Sequence, residues 1–216
     1  MDIRSINLRG KKMKKYLFAL PAVLYMALPY LISPAYAAPA VRSVDVKSFD
    51  VAGVKTGMSV EEARAAMQKN FGVSADAIRT STFRKDQIAY LVTGNIEVSN
   101  LIYEKDGTRM QVSFEPRVPY DKNNPMAVSL INYEIPWTKE NETAMKEAAI
   151  AKYGPISTGG MAPEWCDKPL PTSGMGCEPD SATLKVGSTH LSLFDPAWKN
   201  AVSKFMDQKR ATKPQF

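Results

Sequence analysis

Two cysteines, a single histidine and a few carboxylate clusters are the residues of this 216-residue chain whose types suit chemistry. Cys166 and Cys177 enclose the ten residues DKPLPTSGMG. In an exported chain with only two cysteines, that pair is expected to close a disulfide. Redox pairs usually sit two residues apart at a helix start, a spacing not met here. A redox role, free thiols or metal-bound thiols are the alternatives. Trp165, beside Cys166, either packs on the bridge or offers its ring to a partner. His190 is the only imidazole base, and one histidine excludes a multi-histidine metal site. A nucleophile motif such as G-x-S-x-G is absent, so His190 has no triad to complete. Glu61-Glu62 resembles a carboxylate pair, but neighbours on a helix point in different directions. Asp121 to Asn124 lacks the alternating oxygen ligands of a calcium loop and reads as a turn. Gly159-Gly160 lacks the Lys-Ser/Thr of a phosphate-cradling loop. Asn141-Glu142-Thr143 matches a glycosylation sequon by composition but falls on an expected helix. These residues assign no catalytic group, no metal site and no cofactor.

The elements that would position these groups begin with an address. Arg4, Arg9, Lys11, Lys12, Lys14 and Lys15 precede an apolar run from Tyr16 to Ile32, followed by Ala35-Tyr36-Ala37. This is the basic, apolar, A-x-A order of a secretory signal peptide, with cleavage expected after Ala37. An uncleaved membrane anchor is the alternative, opposed by Pro21, Pro29 and the A-x-A site. The full chain carries 28 Lys+Arg and 22 Asp+Glu, a net +6. Residues 1–37 hold six of those basic residues and one acidic one, leaving 22 against 21 and a net +1. The basic balance is therefore about targeting, and a nucleic-acid partner is not expected. No later segment is apolar and long enough to span a bilayer.

Beyond a short leader at 38–47, one α+β domain is expected over 48–206, with a polar tail at 207–216. Ser59-Val60-Glu61-Glu62 is a capping box, and Val60, Ala63, Met67 and Phe71 recur at helical spacing before Gly72. This predicts a helix over 60–71. Short apolar runs at Ile88–Thr93 and Ile96–Ser99 read as strands. Asp106-Gly107 predicts a two-residue hairpin that sets Tyr103 opposite Met110, Leu101 opposite Val112 and Glu104 opposite Arg109. One face of that hairpin is apolar and the other mostly polar. Met126–Ile135 reads as a strand and Thr138–Lys152 as a helix ended by Gly154-Pro155. Residues 157–181 read as a loop. Gly187-Ser188 predicts a second hairpin, with Leu184 opposite Leu191 and Lys185 opposite His190. Asp195-Pro196 opens a helix whose Trp198, Ala201, Val202 and Phe205 form a core stripe. The sum is an antiparallel sheet with helices packed on one face, with possible tandem halves at 48–118 and 126–206.

Gly53 to Arg64 (GVKTGMSVEEAR) resembles the opening of small bacterial outer-membrane assembly lipoproteins and of the related β-lactamase-inhibitor-protein-like fold. The shared pattern is a Gly-Met-Ser turn, Glu-Glu and an apolar-periodic helix. The resemblance implies helices on one face of an antiparallel sheet, sometimes in tandem, and a role in protein binding. The lipidated cysteine of that family has no counterpart after the apolar run, so a lipid anchor does not carry over. The cysteine loop and the last helix are not covered by the resemblance.

The expectation is thus an exported, periplasmic or secreted module that binds another envelope protein without catalysis. Trp165, Met161 and Met175 of the 157–181 loop, with the exposed sheet face, are its candidate contacts. An exported hydrolase with a spatially assembled site and a small-ligand carrier are the alternatives. The carrier would need an apolar cavity between sheet and helices.

Overall fold

Ser59 closes the capping box that its sequence implies. Its hydroxyl accepts from the Glu62 N–H at 3.2 Å, and the Glu62 carboxylate accepts from the Ser59 N–H at 2.8 Å. The helix it starts, α1, runs Val60–Phe71 and stops at Gly72, whose φ of 62° is the left-handed cap that glycine adopts without strain. The computed structural model describes residues 41–158, 162–171 and 176–210. The expected signal peptide, Met161, Met175 and the last six residues of the expected tail lie outside the described residues.

Seven strands form one antiparallel sheet: β1 Ile78–Thr82, β2 Val98–Lys105, β3 Thr108–Pro116, β4 Met126–Glu134, β5 Glu164–Cys166, β6 Thr183–Gly187 and β7 His190–Phe194. Their order is β1-β2-β3-β4-β7-β6-β5. Two meanders, β1 to β4 and β5 to β7, meet where β4 pairs with β7. The strand β4 extends the first meander through its long pairing with β3, so the expected half starting at 126 cuts that meander.

The β2–β3 hairpin has the expected register, with Tyr103 opposite Met110, Leu101 opposite Val112 and Glu104 opposite Arg109. Asp106 and Gly107 both have positive φ, 50° and 75°, as a primed two-residue turn requires. The β6–β7 hairpin differs. Gly187 pairs with His190 and Leu184 with Leu193, so Ser188-Thr189 makes the turn. Leu191 faces Val186 instead of Leu184, and Lys185 faces Ser192 instead of His190. The strands stay on their expected faces because the offset is an even number of residues, and side chains alternate with period two.

Met110, Val112 and Phe114 of β3 point to the apolar face, with Leu101 and Tyr103 of β2 and Ile131 of β4 beside them, all buried. Burying each large apolar side chain contributes about 1.5–3 kcal/mol. Ala63 and Met67 of α1 cover this face. So do Met145 and Ala149 of α3, Lys139–Tyr153, capped by the Thr138 hydroxyl. The Gly57-Met58 turn straps α1 to the sheet, because Gly57 N–H donates to Val128 O at 2.8 Å and Val128 N–H to Met58 O at 2.9 Å.

Four segments depart from expectation. Ile88–Thr93 is a short helix, α2, not a strand. Its β-branched composition favours extended backbone, but Ala89 and Thr93, four residues apart, are both buried, and Gly94 caps it at φ 75°. The Thr93 hydroxyl donates to Ala89 O at 3.0 Å. Residues 164–166, read as loop, are edge strand β5 on β6. Residues 41–47 are integrated rather than a free leader: Val44 N–H donates to Cys166 O at 3.0 Å, and Val46 is fully buried. The last helix, α4, is Pro196–Arg210, and takes in the first four residues of the expected tail, Asp207 to Arg210. Its Lys209 and Arg210 stand at the negative end of the helix dipole.

Candidate functional site

A trough opens on the apolar side of the sheet, where α3 stands away from α1. Its volume is about 250 Å³. Tyr133 of β4 and Leu191 of β7 lie at its sheet side, Asn70 of α1 on one flank, and Met145, Ala148, Ala149 and Lys152 of α3 on the other. Alanine at two of the five lining positions of α3, which include Tyr153, leaves the space that larger side chains would fill. One end is closed by the turn at Val51 to Val54. That turn is pinned to the last turn of α3: Lys152 Nζ donates to Asp50 Oδ1 at 2.7 Å and Asp50 O at 3.0 Å, and the Tyr153 hydroxyl donates to Asp50 O at 2.7 Å.

Electrostatics follow this packing. Burial alone would raise the Asp50 carboxyl, but Lys152 and the Gly53 N–H outweigh it and hold Asp50 below its ordinary range. Burial, with Asp50 beside it, pushes the Tyr153 phenol far up. Burial and the nearby Tyr103 push Tyr133 up as well. Among the described residues the Tyr133 hydroxyl has no hydrogen-bond partner.

A second opening, of about 370 Å³, lies between α2 and α4, bounded by Phe83, Ile88, Ala89, Glu115, Lys199 and Val202. Glu115 alternates with Phe114 along β3, so this opening is on the sheet face away from the main core. Ile88 and Leu91 of α2 are one turn apart and 46% and 61% exposed, and Ile96 just beyond is 52% exposed. Burial raises the Glu115 carboxyl against the pull of Lys199. An acid raised in the folded state favours folding in its protonated form. Stability is therefore gained as pH falls through the folded value and diminished at neutral pH. Glu115→Gln is accordingly expected to raise the urea midpoint at pH 7 and to lose the acid-side gain. An unchanged or lower midpoint at pH 7 would contradict this assignment.

The residues singled out in the sequence fall elsewhere. Cys166 and Cys177 are joined as a disulfide, with Cα atoms 6.2 Å apart. The bridge ties β5 to Cys177, which pairs with Pro169; beside them Leu170 N–H donates to Gly176 O and Glu178 N–H to Lys168 O. Trp165 is fully buried, and its Nε1–H donates to Gly154 O at 2.9 Å. Its ring has no surface to offer a partner, because β5 pairs with β6 and sets it against the core. His190 is half-buried on the polar face, between Gly187 and Glu134. It borders a niche of about 60 Å³ with Arg109, Gln111, Asn132 and Glu134. Asn123 N–H donates to the Asp121 carboxylate at 2.9 Å, a local turn. The Asn141 amide donates to Pro136 O at 2.7 Å in the first turn of α3. Glu62 is lowered by its hydrogen bonds with Ser59, as its capping role requires. No group of three or more potential metal ligands is present among the described residues, and no helix there is long and apolar enough to cross a membrane.

Sequence reasoning did not anticipate the trough, whose walls come from five separate segments, or the apolar face of α2. It also passed over Trp137, which is 70% exposed beside Pro136, itself packed on Gly107 at the β2–β3 turn. The Ile-Pro-Trp run between a strand and a helix was the available signal for that residue. No family model matches the chain, and none of the curated proteins or solved structures compared with it does either.

Proposed function

We propose that this chain is an exported, non-enzymatic module that binds another envelope protein through the face of α2. The observation that carries the reading is the cluster of Ile88, Leu91 and Ile96, three large aliphatic side chains exposed within nine residues. Single exposed apolar residues are ordinary, whereas a contiguous group marks an interaction surface. A six-residue helix is too short to persist on its own. Here packing of Ala89 and Thr93 holds it in place, and the chain thereby keeps the aliphatic face turned outward. The basic–apolar–A-x-A leader supports export to the periplasm or beyond, and the disulfide is compatible with an oxidising compartment. The resemblance of Gly53 to Arg64 to envelope assembly and inhibitor-like proteins supports a binding role.

The test is capture by the mature, oxidised chain from an envelope extract, followed by reconstitution with the purified captured protein. Leu91→Glu is expected to weaken the reconstituted complex by about tenfold or more, since it places a charge in an apolar contact. Its surface position should leave the unfolding midpoint nearly unchanged. Affinity unaltered by both Leu91→Glu and Ile88→Glu would overturn the assignment of this face, and measurable substrate turnover with no partner would overturn the binding reading itself.

A further inference from the structure

The trough between α1 and α3 is independent of the α2 face and has the features of a small-ligand site. It lies between the sheet and two helices, is mostly apolar, and holds about 250 Å³. A dry apolar cavity of about 150 Å³ accommodates benzene, so this one suits a body of about two fused rings. Met145 and the Tyr133 ring offer the sulfur and aromatic surface that favour an aromatic occupant.

The polar groups are few and directional. The Tyr133 hydroxyl has no partner among the described residues and keeps its proton, so it can donate to a ligand. Lys152, which lines the trough, has three donor hydrogens and uses two on Asp50, with its ammonium 5.3 Å from the centre of the Tyr153 ring, so one hydrogen is left for a ligand. The Tyr133 hydroxyl and the Lys152 ammonium both donate, and the Asn70 amide on the flank can do either, so the ligand needs at least one accepting group. Ala52 also lines the trough, and its φ of 52° with Gly53 at 81° is the two-residue turn between the bridged Val51 and Val54. The turn at one end and the limited volume leave no length for a helix of a partner.

We propose that this trough binds a small aromatic molecule of about bicyclic size carrying one hydrogen-bond-accepting group, held by the Tyr133 hydroxyl and Lys152.

The probe is 2-naphthoate, titrated into the oxidised mature protein by calorimetry, with amide NMR shifts to locate it. Saturable binding of one molecule per chain is expected, with shifts centred on β4 and α3. Ala148→Trp fills the trough from an exposed position, and it should weaken binding by about tenfold or more. Tyr133→Phe removes one hydrogen bond and should cost about three- to tenfold. Ile150→Ala, on the exposed side of α3, and Leu91→Glu should change nothing. Unfolding midpoints of the variants verify that each is folded. No saturation by about 1 mM, or affinity unchanged by both Ala148→Trp and Tyr133→Phe, would overturn the proposal. Loss of the protein partner on Ala148→Trp, with no naphthoate bound to the wild type, would also overturn it and give the trough to a protein contact.

Discussion

Trp165→Ala is expected to lower the unfolding free energy by about 4 kcal/mol, read from the urea midpoint of the oxidised protein. Trp165 is among the largest fully buried side chains, and it stands opposite Leu184 across the β5–β6 pair. Its ring meets Tyr153 edge-on at 5.9 Å, and Tyr153 in turn meets Phe49 at 4.9 Å. That row of rings joins the segment before α1, the end of α3 and the sheet edge. Truncation removes the packing of the indole, leaves a cavity, and strips Gly154 O of the Nε1–H that it accepts. Trp165→Phe separates these terms. It keeps most of the aromatic surface, loses the hydrogen bond, and should cost about 1–2 kcal/mol. A fall of less than about 1 kcal/mol for Trp165→Ala would be too small for a core residue and would return Trp165 to the list of candidate contacts.

The second large effect is expected from the disulfide. Replacing both Cys166 and Cys177 by alanine should lower stability by about 3 kcal/mol in the chain-entropy account of a short closed loop. The bridge spans a sequence separation of 11. It also anchors a strand on which other segments depend: Cys166 O accepts from Val44 N–H, and Cys166 N–H donates to the Ser157 hydroxyl at 3.0 Å. Reduction of the wild type should reproduce most of the loss, and intact mass should show the oxidised chain two hydrogen atoms lighter than the reduced one. Unchanged stability after full reduction and alkylation of both thiols would contradict a structural role for the bridge.

The parts of this fold that were readable from sequence are those in which one local signal decides. At α1, Ser59, Glu62 and Gly72 mark both ends. At the first hairpin, Asp106-Gly107 fixes the turn and therefore every pair behind it. The disulfide followed from having only two cysteines in a chain whose sequence reads as exported. Where two signals compete, the reading diverged. Gly187-Ser188 looked like the turn, but the chain places Ser188 at φ 52° and turns one residue later. At Ile88–Thr93 the β-branched composition pointed to a strand, and the burial of Ala89 and Thr93 against distant elements chose a helix. The strand β5 has only three residues, too few for alternation to register, and it exists through pairing with β6. The trough was beyond reach for a related reason. Asn70, Tyr133, Ala148 and Leu191 are neighbours only because β4 and β7 are adjacent.

That adjacency also governs the order in which the molecule can be completed. The strand β7 is the last to be made yet lies inside the sheet, between β4 and β6. A chain that emerges with its N-terminus first, from a ribosome or through a pore, can form the meander of β1 to β4 early. The hydrogen-bonding edge of β4 then stays open until residues 190–194 appear. Only after that can α4 follow and the two meanders become one sheet. Nearly the full length must therefore be released before the sheet closes, which exposes the β4 edge to any chaperone or misplaced strand in the interval.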